Sequence, residues 1–256
     1  MGVIEDTRKQ VAVGTRMLNA VGLSSGVRSS LGHVSLRVPG EPDKFIVKGR
    51  GYRMDELKRI RPEDLVVCDL EANTLEAPAN IVPCFEVKIH SCIYKARPDV
   101  NSIVHVHPTF TILMTVLGQR LRPMCQEGAA IVDNDLPVYM HQKIVTSDAE
   151  GTELAQVLGQ NDAALLFGHG AVTVGTGMQQ SITNMIHLEH QAAMNYYAYA
   201  AAGADHPYVP ENLRREGDGF GSQFELPHFK QAFAKSGRPL YGGVWEAWMA
   251  EVGGDI

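Results

Sequence analysis

The chain has 256 residues, of which 45% are hydrophobic and 20% are charged, and its formal net charge is -6. This composition excludes a disordered chain, a collagen-like chain and a disulfide scaffold. The acidic balance argues against a surface that binds phosphate backbones or anionic lipid. We therefore expect no nucleic acid and no membrane as partner.

The cellular compartment is predicted from similar features. The first residues lack the pattern of a secretory signal, and no apolar run reaches the roughly 18 to 20 residues that a bilayer span requires. The four cysteines, Cys68, Cys84, Cys92 and Cys125, form no CxxC pair. We expect reduced thiols and a cytoplasmic protein.

Apolar spacing and turn residues predict the elements in chain order. They are a helix at 3–21, strands at 33–38, 45–48 and 65–70, a helix at 85–95, a strand at 102–107, helices at 109–117 and 148–158, strands at 163–167 and 171–174, and a helix at 178–202. Strands interleaved with helices indicate a sheet covered by helices, and the hairpin-like pairs indicate that much of this sheet is antiparallel.

The composition changes at about His206, where prolines, glycines and charges become frequent. We predict one domain over residues 1–205. Residues 206–256 are predicted as an arm and a helix that pack on the same domain or on a neighbouring subunit. Aromatic residues in this arm suit either an aromatic pocket or the core, and they are Phe220, Phe224, Trp245 and Trp248.

Two short motifs contain histidines in an arrangement that suits a metal. His105 and His107 are two residues apart in a predicted strand, so both rings lie on one face about 6 to 7 Å apart along the chain. His169 follows a buried strand and lies between two glycines, which allow another group to approach closely. Three histidines leave open positions on an ion, as in a catalytic site.

A carboxylate precedes this pair. Glu86 and His90 are four residues apart on a predicted helix and so share a face. We predict that Glu86 is a further metal ligand, a general acid or base, or both at different stages. His90 is interpreted as a packing residue or a partner of another side chain.

These motifs together resemble the class II aldolase/adducin family. The resemblance is carried by Glu86 to His90 with YKARPDVNSIVHVHPT, by LLFGHGAVTVGTGMQQSI with the long helix after it, and by the earlier GHVSLR. It covers roughly residues 8–202 in the family's order. It implies a three-layer α/β/α sandwich around a mainly antiparallel sheet, and a homotetramer with sites between subunits. It also implies one divalent ion per subunit held by His105, His107 and His169, with Glu86 as catalytic acid or base.

The departures from the family's sugar-phosphate aldolases concern the residues that hold a phosphate. Where those enzymes have GNxS, a Ser/Thr-Gly pair and paired serines, this chain has His33 in GHVS, Gly49-Arg50-Gly51 and Cys84-Phe85. An imidazole and a guanidinium can hold a carboxylate or a phenol. We therefore predict His33 and Arg50 as substrate-binding residues, with a pattern closest to the family's decarboxylases of hydroxylated aromatic or pyridine dicarboxylic acids.

The expected function is that of a metal-dependent carbon-carbon lyase. We predict that it decarboxylates a hydroxylated aromatic or related cyclic carboxylic acid, with Zn, Mn, Fe, Co or Ni as the ion. The first alternative is an aldolase acting on an unphosphorylated hydroxy-oxo acid. A non-heme iron oxygenase is the second, because three histidines also suit iron(II). A non-catalytic scaffold of the adducin type is the third.

Overall fold

The computed structural model of the chain describes residues 2–217, 226–227, 230, 243–254 and 256. The helices are α1 (Val3–Ala20), α2 (Val87–Ala96), α3 (Thr109–Val116), α4 (Asp148–Leu158), α5 (Met178–Ala202), α6 (Glu211–Arg214) and α7 (Val244–Val252). The strands are β1 (His33–Val38), β2 (Glu41–Val47), β3 (Gly49–Arg50), β4 (Val66–Asp69), β5 (Thr74–Glu76), β6 (Val82–Pro83), β7 (Ser102–Val106), β8 (Val138–Tyr139), β9 (Ala163–Leu166) and β10 (Gly170–Gly175).

Eight of these strands form one sheet in the order β5-β4-β2-β1-β7-β10-β9-β8, and β3 pairs with β6 separately. Every neighbouring pair in the large sheet is antiparallel except β8 and β9, which are parallel. Helices cover both faces of the sheet. The predicted three-layer sandwich with a mainly antiparallel sheet is therefore confirmed.

The two faces of the sheet carry separate apolar cores. Val104 and Val106 of β7 belong to the core that includes buried residues of α1, α3 and α5. Ile103 belongs to the core that includes residues of α2 and α4. Side chains alternate between the faces of a strand, so His105 points towards α2 and α4. This alternation is why the polar residues of β7 and β1 lie beneath the start of α2.

Most predicted elements are present with small differences at their ends. Strand β2 begins at Glu41 because the turn before it consists of Pro39 and Gly40 alone, and Gly40 adopts a positive φ of 80°. Helix α2 begins at Val87, so Glu86 precedes the first helical residue. Four strands were not predicted, namely β3, β5, β6 and β8. They have two or three residues each, which is too short for an alternating pattern.

The C-terminal helix α7 packs on the apolar core that includes residues of α1, α3 and α5. Trp245 and Trp248 lie partly buried against it, and Nη1 of Arg16 in α1 donates to the carbonyl oxygen of Val252 at 3.0 Å. Phe220 and Phe224 lie outside the described residues. The domain division at residue 205 remains a prediction. Among the helices that the structure describes, none combines the length and the apolar character that crossing a bilayer requires.

A capping box begins α4. Ser147 Oγ accepts from the Glu150 N–H at 3.3 Å, and Glu150 Oε2 accepts from the Ser147 N–H at 3.0 Å. We expect Ser147→Ala to lower the free energy of unfolding by about 1 kcal/mol, because a backbone N–H loses its acceptor. Thr152→Ala, on the exposed part of the same helix, is the control and should change it little. Equal losses in urea unfolding of the two variants would contradict this prediction.

Candidate active site

The three candidate metal-binding histidines and Glu86 meet beside the C-terminal end of β7. His105 lies on β7, His107 directly follows this strand, His169 lies in the turn between β9 and β10, and Glu86 directly precedes α2. One possible ligand atom from each of the four lies within 4.8 Å of the others. The fold therefore brings together residues from three separate parts of the sequence.

The carboxylate of Glu86 faces two of the imidazole rings. Its Oε2 lies 3.2 Å from Nε2 of His105, and its Oε1 lies 3.5 Å from Nε2 of His169. Oε1 also accepts from the backbone N–H of Val145 at 3.2 Å. The centroids of the His107 and His169 rings are 4.9 Å apart. The cluster is thus compact, and most of it is buried from solvent.

The histidine rings are oriented by partners outside the cluster. Nδ1 of His105 donates to the carbonyl oxygen of Ala171 at 3.0 Å, and Nδ1 of His107 lies 3.2 Å from Ser25 Oγ. Nε2 of His107 is buried without a hydrogen-bond partner in the described part of the chain, and Nε2 of His105 faces the Glu86 carboxylate. Since a metal-binding imidazole offers one nitrogen to the ion and bonds through the other, these residues fit a divalent cation.

Burial and neighbouring groups keep the cluster in the protonation state that a cation needs. Burial, with the nearby His105 and His169, lowers the pKa of His107 to about 3. Burial also lowers the pKa of His169. It would by itself raise the pKa of Glu86, but His105 and His169 outweigh it and lower this pKa to about 2. Neutral His107 and His169 and an ionised carboxylate are therefore expected at neutral pH.

His33 lies next to this cluster, on the adjacent strand. It pairs directly with His105 across β1 and β7, and its Nε2 lies 4.0 Å from Glu86 Oε2. Its other ring nitrogen, Nδ1, lies 2.7 Å from Nε2 of His90. The structure therefore places His33 where a ligand bound near Glu86 would reach it, and His90 behind it.

Arg50 lies on the small sheet, close to the residues before Glu86. Its Nη1 donates to Asp55 Oδ2 at 2.6 Å, and its guanidinium carbon lies 5.6 Å from the centroid of the Phe85 ring. Its Nε is buried without a hydrogen-bond partner among the described residues. Arg50 also contributes to the lowered pKa of His107, so its positive charge acts on the histidine cluster.

Lys48 is a residue near the site that the sequence analysis missed. Its side chain is buried, with 2% exposed, and its Nζ lies 2.6 Å from Asp55 Oδ1. Its charge contributes to the lowered pKa of His33. A lysine directly after the apolar FIV segment of β2 was the available signal, since buried lysines are rare and paired. Lys48, Arg50 and Asp55 together carry one net positive charge next to the cluster.

Comparison with known proteins identifies the family. Residues 9–196 match the family described as the class II aldolase and adducin N-terminal domain, and the chain belongs to this family. It is similar to a 3,4-dihydroxyphthalate decarboxylase of Rhodococcus jostii, with 28% identity over 208 residues, which cover 78% of this chain and 83% of that protein. With decarboxylases and aldolases among its relatives, the chain is an enzyme of the lyase class.

Solved structures support the same fold. An aldolase II superfamily protein from Pseudomonas syringae superposes with a TM-score of 0.78 at 21% identity, over 98% of this chain and 94% of that one. An L-fuculose 1-phosphate aldolase from Glaciozyma antarctica superposes with a TM-score of 0.73 at 22% identity, over 96% and 91% of the two chains.

Proposed function

We propose that this enzyme is a metal-dependent decarboxylase of a hydroxylated aromatic or related cyclic carboxylic acid. The single observation that carries the proposal is the cluster of His105, His107 and His169 around the Glu86 carboxylate. Support for the substrate class comes from the exchange of the family's phosphate-binding hydroxyl residues for His33 and Arg50. The 28% identity to a 3,4-dihydroxyphthalate decarboxylase supports the same class.

His105, His107 and His169 would hold one divalent cation, for which Zn, Mn, Fe, Co and Ni are the candidates. When bound, such an ion stabilises the negative charge that develops on the substrate as a carbon-carbon bond breaks. The Glu86 carboxylate lies 3.2 Å from Nε2 of His105 and 3.5 Å from Nε2 of His169. It would transfer the proton that the reaction requires.

Decarboxylation leaves the electron pair of the broken bond on carbon, and a proton must replace the carboxyl group. Because the pKa of Glu86 is lowered to about 2, this residue enters the reaction as a carboxylate. It can accept the proton of a substrate hydroxyl and then return it to carbon, directly or through a water that it positions, and the oxygen left without its hydrogen takes a proton from solvent. Nothing further has to be oxidised or reduced in this sequence.

Arg50 is proposed to bind a substrate carboxylate. We expect Arg50→Met to raise KM by about 10-fold to 100-fold with a smaller change in kcat, because a charged hydrogen bond is worth about 1.5 to 3 kcal/mol. Arg53→Met is the matched control, since Arg53 is exposed in the same segment. Steady-state kinetics with the acid substrate measure both. An unchanged KM for the Arg50 variant would exclude this role.

The decisive test is to incubate the metal-loaded protein with dihydroxyphthalates and related acids while measuring carbon dioxide, aldehyde and dissolved oxygen. Release of carbon dioxide without oxygen consumption supports the proposal. Release of an aldehyde from an unphosphorylated hydroxy-oxo acid would support an aldolase, and consumption of oxygen with the substrate would support an oxygenase. Elemental analysis of protein purified without added metal identifies the ion.

We further infer a homotetramer, as the resemblance to the family implies. Its subunit number is measured by light scattering on the purified protein. A monomer at working concentration would contradict this inference.

A further inference from the structure

A chain of buried polar groups leads away from His33 through the sheet-facing side of α2. His33 Nδ1 lies 2.7 Å from His90 Nε2, and His90 Nδ1 lies 2.7 Å from Ser35 Oγ. Ser35 Oγ lies 2.7 Å from Tyr94 Oη, and Tyr94 Oη donates to the carbonyl oxygen of Asn101 at 3.2 Å. The four side chains that form the chain are between 0% and 5% exposed. None of them except His33 reaches the histidine cluster.

The Asn101 carbonyl at the end of this series of hydrogen bonds favours one direction for all of them. A carbonyl oxygen only accepts, so the single hydrogen of Tyr94 goes to Asn101. Tyr94 then accepts from Ser35, Ser35 accepts from His90 Nδ1, and His90 Nε2 accepts from His33 Nδ1. His33 Nε2 is left without a hydrogen and carries a lone pair.

The opposite direction is less favourable. If Tyr94 donated to Ser35, its bond to the Asn101 carbonyl would be lost and the chain would end in a hydrogen on His33 Nε2. The nearest carboxylate oxygen, Glu86 Oε2, is 4.0 Å from this nitrogen, which is too far for a hydrogen bond. The first direction makes one hydrogen bond more than the reverse.

The contacts of the two rings are those of neutral imidazoles. The facing nitrogens, His33 Nδ1 and His90 Nε2, lie 2.7 Å apart and can share only one proton, and the other nitrogen of His90 lies 2.7 Å from Ser35 Oγ. A second hydrogen on His33, at Nε2, would have no carboxylate oxygen within hydrogen-bond distance, since Glu86 Oε2 is 4.0 Å away. Both side chains are buried, with 5% of His33 and 0% of His90 exposed, and burial disfavours a charged ring. Each ring therefore has one N–H.

We infer that Tyr94, Ser35 and His90 are positioning residues that present His33 Nε2 to the site as a hydrogen-bond acceptor. This nitrogen can bind a substrate hydroxyl, but it cannot bind a carboxylate, which has no hydrogen to donate when ionised. The inference rests on the proposed function and assigns the two substrate groups, with a hydroxyl at His33 and a carboxylate at Arg50. The site therefore selects hydroxylated acids.

The first test is the ¹⁵N spectrum of the histidine rings in the full-length, zinc-loaded protein at neutral pH. His33 is assigned by comparison with His33→Asn. We expect an unprotonated nitrogen at Nε2 and a protonated one at Nδ1, since the two states differ widely in ¹⁵N shift. A hydrogen on His33 Nε2 in the unmodified protein would overturn the inference.

The second test is Tyr94→Phe. Without the tyrosine oxygen, the Ser35 hydroxyl has no acceptor in this series of hydrogen bonds other than His90 Nδ1. Each hydrogen bond of the series then reverses its direction, and His33 Nε2 gains a hydrogen. Tyr139→Phe is the matched control, because it removes another hydroxyl from the same apolar core, one that donates to Glu153 at 3.2 Å. The control should leave the His33 signals unchanged.

Binding of two probes checks the consequence for selectivity. Dihydroxybenzoate and dimethoxybenzoate have the same carboxylate, but only the first donates from its ring oxygens. We expect the ratio of their affinities to fall about fivefold to tenfold in Tyr94→Phe and to stay unchanged in Tyr139→Phe. The unmodified protein and the two variants carry the same ion, so any effect of the ion on this ratio cancels when the three ratios are compared. An unchanged ratio in Tyr94→Phe would overturn the inference.

These readouts require no turnover, so the two hypotheses fail separately. If His33 Nε2 is unprotonated but the protein releases no carbon dioxide from any acid, the inference stands and the proposed function is contradicted. If the protein releases carbon dioxide but His33 Nε2 carries a hydrogen, the proposed function stands and the inference is contradicted.

Discussion

The His107→Ala variant is expected to lose stoichiometric metal and about 10³-fold or more of the catalytic rate while keeping its fold. The ion is proposed to contribute several kcal/mol to the stabilisation of charge in the transition state, and about 4 kcal/mol corresponds to about 10³-fold in rate. His107 is the best of the three histidines to replace, because it follows β7 and is partly exposed. His105 is fully buried in the sheet, so its loss would also leave a cavity.

His141→Ala is the matched control for this experiment. His141 is a histidine outside the cluster, its side chain is 44% exposed, and its Nε2 lies 3.5 Å from Glu153. We expect this variant to keep its metal and its rate. The measurements are elemental analysis, rate under saturating substrate, and urea unfolding. Full metal content and near-normal rate in His107→Ala would remove the basis of the proposed metal site.

The candidate site was predictable from sequence where its metal-binding side chains lie close together in a short motif. His105 and His107 are separated by one residue, so the geometry of a strand alone places both rings on one side. His169 and Glu86 are distant in sequence, and they were grouped with the pair from the glycines around His169 and the position of Glu86 upstream, which the family resemblance then supported. The structure places all four in one cluster.

The hydrogen-bond chain behind His33 was not predictable in the same way. Its members come from β1 and from α2, and their contacts depend on which face of the helix packs on the sheet. A sequence pattern gives the alternation of Ser35 with Val34 and Leu36, but not the residue of α2 that lies opposite it. His90 was interpreted as a packing residue or a partner of another side chain, and its bond to His33 agrees with the second of these.

The Lys48 pair with Asp55 shows a related limit. Asp55 follows β3, a strand of two residues. Such a strand is too short for an alternating pattern, so the sequence does not predict the turn that brings Asp55 next to Lys48. The buried lysine itself was visible as an unusual residue at the end of an apolar strand. Its partner Asp55 was not predictable, because the contact between Lys48 and Asp55 depends on β3 pairing with β6.

The Glu86→Gln variant is expected to lower kcat by about 10²-fold to 10⁴-fold, because glutamine cannot accept and return the proton that replaces the carboxyl group. Glutamine is nearly isosteric and keeps an oxygen for the N–H of Val145, which donates to Glu86 Oε1 at 3.2 Å. The fold and the three histidines should therefore be preserved. Since the pKa of Glu86 is lowered to about 2, the deficit in rate should be constant through the neutral pH range.

Metal content and isotope incorporation separate the possible roles of Glu86. In heavy water the unmodified enzyme should place one deuterium on the carbon that loses the carboxyl group, at a rate equal to carbon dioxide release. Glu153→Gln, whose side chain is 52% exposed, is the control and should behave like the unmodified enzyme. If Glu86→Gln kept its metal and its rate, the acid-base role would be wrong. If it lost the ion as His107→Ala is expected to, Glu86 would be a metal ligand, and the proton would have to come from another group.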